Sequence, residues 1–456
     1  MPAPALASSR GRPAGAGQRL PGAGAASGPP FLTSVAGSGT AAYPADQYGQ
    51  PWMFRSDFCW GLITNSGQGG AGGGTWQQDM SNYLTTRQGQ GFNTAYCTLV
   101  NCVALGGPAD NGQTFDAVVP FTSGVVGNLN STYWTRVDYL VTTAQSLGMT
   151  CMFNVAPTEA FNAGCVFNTA TTGQCTNYGA ALAARYKSSP NIFWTFGDDY
   201  FSTYDTQYTA ILNALRSGGD SHLVTIENFT EADSRYYPFD GSPQAWGLAN
   251  AQVSLVYSYN AQYVNVEAAF TEASPVCVAL LDGWWDNGTD FGRNQFWWSV
   301  SSGSRGRYYG NAGSISYTQA GFISALAGDT DGISQGIYWG IFAGLGNWHK
   351  LVPDTGSALV TAGRGTHLSP IATNGAPYTG GNTYVSAGAA PDKSLAVIYN
   401  PAADTQTITV NTTGYSTAAW VDPANGTQVN AGISSTYTRS ALNSVGEHDW
   451  LLVLKA

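Results

Sequence analysis

Charge is scarce in this 456-residue sequence. Asp, Glu, Lys and Arg make up only 10% of the residues, against about 25% in an average globular protein. Basic residues are the rarer kind, with 18 Lys and Arg against 28 Asp and Glu, and the net charge is −10. This balance disfavours binding to phosphate groups, which argues against nucleic acids and anionic membranes as partners.

Long apolar runs and metal-binding motifs are missing too. No stretch reaches the roughly 20 apolar residues that a membrane span needs, so no membrane insertion is expected. The four His are scattered and no Cys-x-x-Cys pair occurs, so no metal site is predicted. The Gly-rich segment GQGGAGGG (residues 67–74) lacks the spacing of a nucleotide-binding loop. We therefore expect no cofactor.

Cysteine is present in an odd number, seven, so at least one is expected outside any intramolecular disulfide. Cys165 and Cys175 bracket the loop-like segment GCVFNTATTGQC, and a disulfide between them is predicted. Other cysteines lie in apolar runs and are expected to be buried as small hydrophobic residues.

Aromatic residues are abundant, at 13%, with 14 Trp and 25 Tyr. Many flat rings with few charges are typical of proteins that bind neutral carbohydrate, because rings stack on sugar faces and neutral polar groups bond hydroxyls. The alternative interpretation is a large aromatic core.

The chain from about residue 45 alternates strand-like and helix-like segments. Eight such strands over about 300 residues predict a (β/α)8 barrel at residues 45–362. A doubly wound open sheet is the alternative, but no phosphate-binding loop supports it. Residues 1–44, rich in Ala, Gly and Pro, are expected to form a disordered arm. Turn-separated alternating runs at 363–456 predict a small C-terminal antiparallel β-sandwich. The strand-like runs are 53–62, 93–100, 150–156, 191–197, 223–228, 253–259, 276–282 and 306–310.

Chemistry in such a barrel is expected where strands end, because their carboxyl ends surround one mouth. Several carboxylates and Trp residues fall there, and Arg293 is the expected counter-charge. The residues predicted to line the mouth are Asp57, Trp60, Asn154, Asp198, Asp199, Glu227, Tyr257, Tyr259, Asp282, Trp284, Trp285 and Asp286.

Two of these carboxylates, Asp199 and Asp282, end the fourth and seventh strands, which face each other across the mouth. That placement fits the separation of about 5–5.5 Å in retaining glycoside hydrolases. The structural alternatives are a helix cap at Asp198 or Asp199, a turn at Asp282, and an internal salt bridge at Glu227. Trp284 and Trp285 could equally belong to the core.

The order of several motifs resembles the apiosidase-like glycoside hydrolases, a (β/α)8 family often followed by a β-sandwich described as collagen-binding. The matching segments are RSDFCWGL, YLTTRQGQGFN, NIFWTFGDD, LLDGWWD, RNQFWWSVSSGSRGRYYGN, WHKLVPD and DWLLVL. The resemblance covers about residues 45–456. It implies Asp199 as the acid/base, Asp282 at the nucleophile position and Asp286 as a second acid.

The sequence departs from the family pattern at three of these positions. Asp282 and Asp286 replace Glu, and Asp198 replaces a Gly and is expected to raise the pKa of Asp199 by like-charge repulsion. The departures leave a retaining enzyme, an inverting enzyme with a wider gap, or a protein that only binds glycans.

The resulting prediction is a hydrolase that acts on a polysaccharide, with a furanoside-containing cell-wall or pectic glycan such as arabinan as one candidate. The alternative is a non-catalytic glycan-binding or virion tail protein. Residues 1–30 lack an ordinary secretory signal, which leaves a misassigned start or another route of export, such as incorporation into a phage particle. The expected location is extracellular or virion-associated. The sequence makes no prediction of oligomeric state.

Overall fold

The computed structural model describes residues 28–67, 74–200, 202–237, 242–259, 261–272, 275–283, 289–311, 326–369 and 382–456. At position 282 and at 289–291 it describes the backbone alone.

Eight parallel strands form the central sheet, as the sequence predicted, and their near-continuous apolar runs explain why strands such as β5 and β6 are buried on both faces. Their order around the sheet is β10-β11-β12-β3-β4-β5-β6-β7. These strands are β3 (Phe54–Phe58), β4 (Thr94–Thr98), β5 (Thr150–Pro157), β6 (Ile192–Gly197), β7 (Val224–Glu227), β10 (Val253–Tyr257), β11 (Cys277–Asp282) and β12 (Gly306–Tyr309). A short hairpin, β8 (Tyr236–Tyr237) with β9 (Ser242–Pro243), lies between β7 and β10 in the chain.

Helices follow the strands and cover the outside of the sheet. Side chains cap several of them: Thr171 and Gln174 form a reciprocal capping box on α4, and Asn130 caps α3. The helices are α1 (Leu62–Asn65), α2 (Trp76–Gly89), α3 (Ser131–Ser146), α4 (Thr172–Tyr186), α5 (Asp205–Ser217), α6 (Ala245–Asn250), α7 (Tyr263–Phe270), α8 (Thr289–Ser301) and α9 (Thr330–Gly344).

An N-terminal hairpin covers the end of the barrel at which the strands begin. Its strands, β1 (Leu32–Ala36) and β2 (Tyr43–Asp46), pair antiparallel. Leu32 and Trp52 belong to the same buried cluster as Phe54 and Phe193 inside the barrel. Residues 28–44 therefore do not form the disordered arm that composition predicted, because burial of Leu32 in the barrel orders them. Residues 1–27 lie outside the described part.

The two ends of the sheet order, β7 and β10, meet along a seam held largely by side chains. One backbone bond crosses it, from the Gln252 N–H to the Val224 carbonyl at 3.0 Å. Further along, the Ser234 hydroxyl donates to the Ile226 carbonyl at 2.6 Å and accepts from the Leu255 N–H at 2.9 Å. The Ser234 side chain thus takes the place of direct ladder bonds between the two strands.

Two antiparallel sheets form the C-terminal β-sandwich. Their facing side chains, among them Ile398, Trp420, Trp450 and Leu452, make a separate buried cluster. The larger sheet has the order β13-β15-β16-β21-β18-β19 and the smaller one β14-β17-β20. The strands are β13 (Val352–Pro353), β14 (Val360–Ala362), β15 (Ser386–Ala389), β16 (Ala396–Asn400), β17 (Ile408–Val410), β18 (Thr417–Val421), β19 (Gln428–Asn430), β20 (Thr436–Tyr437) and β21 (Trp450–Lys455).

The sandwich packs directly on α8 of the barrel. The indole N–H of Trp297 donates to the Pro423 carbonyl at 3.1 Å, and that of Trp298 donates to the Tyr384 carbonyl at 3.0 Å. Both Trp side chains are fully buried. The confirmed architecture is thus a (β/α)8 barrel with an attached β-sandwich, and the two share an interface that excludes water.

Candidate active site

The carboxyl edge of the barrel brings most of the predicted residues together. Trp60 lies two residues after β3, Asn154 lies in β5, and Tyr257 ends β10. Asp198 and Asp199 follow β6, while Glu227 and Asp282 are the last residues of β7 and β11. The predicted residues Trp284, Trp285 and Asp286 lie outside the described part of the chain.

A buried polar cluster forms the floor of this mouth. The Tyr96 hydroxyl donates a short hydrogen bond to Glu227, whose side chain is 1% exposed. The Asn154 amide donates to the Tyr96 hydroxyl at 3.4 Å and to the Gly197 carbonyl at 3.2 Å. Burial, followed by the charge of Glu227, raises the pKa of Tyr96 well above its usual value. Tyr96 therefore stays a hydrogen-bond donor that orients Glu227.

The backbone that carries the two adjacent Asp residues has an uncommon conformation. Three successive residues have positive φ: Gly197 at 88°, Asp198 at 79° and Asp199 at 48°. Positive φ is uncommon outside Gly, although Asp tolerates it better than most residues, and such conformations concentrate at functional sites. The turn separates the two carboxylates: Asp198 is buried and interacts with Tyr96, whereas Asp199 is exposed.

Asp199 has a neighbouring carboxylate that the sequence analysis did not identify. Glu159 lies on the short 3-10 turn Thr158–Phe161, directly after β5. Burial raises the pKa of Glu159 to about 7, and the charge of Asp199 contributes to this rise. Although Asp199 is exposed as a residue, neighbouring groups partly desolvate its carboxyl, and this raises its pKa as well. Both carboxyls thus favour the protonated form more than a fully solvated carboxyl does.

A β-bulge sets the position of Asp282 in the sheet. Val253 to Val256 pair regularly with β11, but the register then shifts and Tyr257 lies opposite Asp282. A bulge adds one residue to a strand and changes the alternation beyond it. Asp282 consequently lies opposite Tyr257 in the sheet. Tyr257 has the same parity in β10 as Val253 and Leu255, whose side chains lie in the barrel interior.

A second unpredicted carboxylate holds the loop after β10. Glu231, 2% exposed and with φ of 62°, accepts hydrogen bonds from the Tyr259 N–H at 2.8 Å and from Asn265 at 2.7 Å. The hydroxyls of Tyr259 and Tyr257 are 2.8 Å apart. Glu231 thus fixes the backbone from which Tyr259 extends.

Comparison with known proteins agrees with this arrangement. The model of the family "Apiosidase-like, catalytic domain" matches residues 41–362, well over half of the chain. The chain belongs to this family. It is accordingly a glycoside hydrolase, as its sequence motifs predicted. A comparison with curated proteins found no match.

Solved structures share the fold of this apiosidase-like protein. A glycoside hydrolase superposes with a TM-score of 0.71 at 17% identity, covering 93% of this chain and 97% of its own. A glycoside hydrolase family 5 protein from Bacteroides vulgatus gives a TM-score of 0.71 at 16% identity, with 92% and 93% coverage. Both coverages extend over the barrel and the sandwich, so the two-part architecture recurs.

Asp57, which was expected to bind substrate, occupies a different place. In β3 the side chains of Phe54 and Phe58 fill the barrel interior, and Asp57 has the opposite parity. Its fully buried carboxylate accepts from the Tyr83 hydroxyl at 2.5 Å and from Arg87 Nε at 2.6 Å. Tyr83 and Arg87 lie on α2, outside the barrel. In this apiosidase-like enzyme Asp57 therefore joins a strand to its helix.

Arg293 is likewise not the counter-charge of the mouth that the sequence analysis expected. Its Nε and Nη2 atoms lie 2.8 and 2.9 Å from the two carboxylate oxygens of Asp449, which belongs to the sandwich. The two side chains are 2% and 4% exposed. Tyr399 and Asn443 complete the hydrogen bonds of Asp449. This ion pair joins the barrel to the sandwich.

The predicted disulfide between Cys165 and Cys175 is wrong, because all seven cysteines are free. Cys175 lies within α4 and is fully buried in the core. Cys165 lies in the preceding loop, where its Sγ is 3.6 Å from the Asp110 carboxylate. The segment between the two cysteines is a loop followed by the first turn of α4, so the two thiols lie on different elements.

Within the described ranges, no three His, Cys, Asp or Glu side chains lie close enough together to hold a metal ion. No helix in those ranges has the length and apolar character needed to cross a bilayer.

Proposed function

We propose that this enzyme cleaves glycosidic bonds in a polysaccharide with Asp199 as general acid/base and Asp282 as nucleophile, with retention of anomeric configuration. The observation that carries the proposal is the position of both residues at the carboxyl edge, at the ends of β6 and β11. An acid/base needs a raised pKa so that it is protonated before bond cleavage, and partial desolvation of its carboxyl raises the pKa of Asp199.

Substrate contacts are proposed for other residues at the carboxyl edge of the barrel. Trp60 is half-buried beside the mouth and packs edge-to-face on Phe58 at 5.8 Å, which leaves a ring available for stacking on a sugar. Asn154, Glu227, Tyr257 and Tyr259 supply neutral and charged hydrogen-bonding groups. The substrate class we favour is a furanoside-containing cell-wall or pectic glycan such as arabinan, which is consistent with action outside the producing cell or on a virion.

Isosteric substitutions test the two catalytic assignments. Asp199→Asn and Asp282→Asn should each abolish the release of reducing ends from arabinan and pectic fractions while leaving the circular dichroism spectrum unchanged. Asp392→Asn, at an exposed carboxylate of the sandwich, is the matched control and should keep full activity. Near-normal turnover by either catalytic variant would refute its assignment.

Two further measurements separate the alternatives. The anomer formed first, followed by proton NMR, should match that of the substrate; the opposite anomer would show an inverting enzyme. If no tested glycan is cleaved but a labelled glycan is retained by the immobilised protein, the glycan-binding alternative is favoured over hydrolysis.

A further inference from the structure

Two free cysteines touch at the carboxyl edge of the barrel. Cys59 is the first residue after β3, and Cys97 lies in the neighbouring strand β4. Their Sγ atoms are 3.0 Å apart, and both residues are fully buried. Both belong to the large apolar cluster that the outer helices share with the sheet. The two sulfur atoms need to approach by only about 1 Å to reach the length of a disulfide bond, about 2.05 Å.

The backbone holds these two residues side by side. The Cys59 N–H donates to the Tyr96 carbonyl at 2.8 Å, and the Thr98 N–H donates to the Trp60 carbonyl at 3.3 Å. Hydrogen bonds on either side of the pair thus keep the two chains at the spacing of neighbouring strands, about 4.8 Å. The Cα atoms of a disulfide lie about 4.4–6.8 Å apart, so a bond between Cys59 and Cys97 requires no rearrangement of the sheet.

We propose that Cys59 and Cys97 form a disulfide when the chain folds in the presence of a small-molecule disulfide such as oxidised glutathione. One protein thiolate attacks the oxidant, forms a mixed disulfide and releases one glutathione thiolate. The second protein thiolate attacks the protein sulfur of that mixed disulfide, which forms the bond and releases the second glutathione. The two protein thiols lose two protons and two electrons, and the oxidant becomes two molecules of reduced glutathione.

The folded, reduced protein resists this reaction. Burial raises the pKa of the Cys97 thiol well above its usual value, and the contact with Cys59 adds to the rise. The thiolate is the form that attacks a disulfide, and an oxidant has no access to two fully buried residues. The bond therefore forms before the helices cover the pair. Protein isolated from a reducing cytosol keeps all seven thiols free, as they are in the structure.

The bond joins two strands that carry residues of the mouth. Trp60 directly follows Cys59, and Tyr96, which orients Glu227, directly precedes Cys97. A covalent link fixes the two strands to each other at their carboxyl ends. The linked residues are 38 positions apart in the chain, and closing such a loop restricts the unfolded chain and so stabilises the folded one. The inference does not depend on the catalytic assignments.

Oxidative refolding of the full chain tests the proposal. The protein is unfolded in urea with a reductant and refolded in reduced and oxidised glutathione, and its remaining thiols are alkylated without reduction. Trypsin yields peptide 56–87, which contains Cys59, and peptide 88–136, which contains Cys97. Mass spectrometry should find the two peptides joined, and fragmentation should assign the bond to Cys97 and not to Cys102 of the same peptide. Refolding in reduced glutathione alone should give both peptides separate and alkylated.

Three variants and a stability measurement complete the test. Cys59→Ala and Cys97→Ala should each abolish the joined peptide, whereas Cys151→Ala, at a buried cysteine of β5, is the matched control and should keep it. The oxidised protein should unfold at higher urea concentration than the reduced protein, and Cys59→Ala should show no such shift. The proposal is overturned if Cys59 and Cys97 both remain alkylated after oxidative refolding, or if either bonds to another cysteine. Equal unfolding midpoints of the two forms would overturn the stabilising effect.

Discussion

The ion pair between Arg293 and Asp449 predicts that the sandwich and the barrel are energetically one unit. Asp449→Asn removes the negative charge and leaves the guanidinium of Arg293 buried, since Arg does not deprotonate in proteins. Both side chains are at most 4% exposed, so solvent cannot replace the lost partner. Breaking a buried pair in this way costs about 3–5 kcal/mol.

Urea unfolding of the full chain measures this cost from the change in midpoint at a constant slope. The matched control is Asp392→Asn, which breaks the exposed pair with Lys350, whose side chains are 39% and 51% exposed. Exposed pairs contribute less than about 1 kcal/mol, so the control should unfold close to wild type. The double variant Arg293→Met with Asp449→Leu should recover much of the loss, because it leaves no buried charge.

Two results would refute the reasoning. If Asp449→Asn costs no more than Asp392→Asn, the pair does not contribute to stability in solution. If the wild-type chain already shows a separate early transition of the sandwich alone, the two parts are not energetically coupled through this interface.

Three further predictions address the cysteines, the turn after β6 and the response to pH. Alkylation of the denatured, unreduced protein followed by mass spectrometry should modify all seven cysteines; a pair protected at Cys165 and Cys175 would restore the rejected disulfide. Gly197→Ala should lower stability and impair hydrolysis, because a Cβ there would meet the Glu227 carbonyl at 2.2 Å, whereas Gly340→Ala, with open space in α9, should stabilise by about 0.5–1 kcal/mol. Burial lowers the pKa of His349 to about 4, so between pH 6.5 and 4 the unfolded chain binds more protons than the folded one. The free energy of unfolding should therefore decrease as the pH is lowered from 6.5 to 4, and His349→Gln should reduce this decrease. An unchanged pH dependence in that variant would contradict the last prediction.

The eight barrel strands could be predicted from sequence because each is a short apolar run followed by a helical segment. The placement of Asp57 could also have been predicted, since in a regular strand residues 57 and 60 lie on opposite faces. Trp60 follows the parity of the barrel interior, so Asp57 must face the helices.

Other features could not be obtained from local sequence. Arg293 and Asp449 are 156 residues apart, and no local pattern pairs them. The bulge before Asp282 depends on the neighbouring strand β10. Glu159, by contrast, has a usable signal in the sequence, because it follows the end of β5 by two residues.

At the seam between β7 and β10, side chains replace much of the backbone hydrogen-bond ladder. The shorter path around the sheet from Asp199 to Asp282 passes through β7 and β10 only, and therefore crosses this seam. The Ser234 hydroxyl bridges the two strands at this seam. On its shorter side, the connection between the two proposed catalytic carboxylates therefore runs through the side chain of a serine on a connecting segment, in place of a complete backbone ladder.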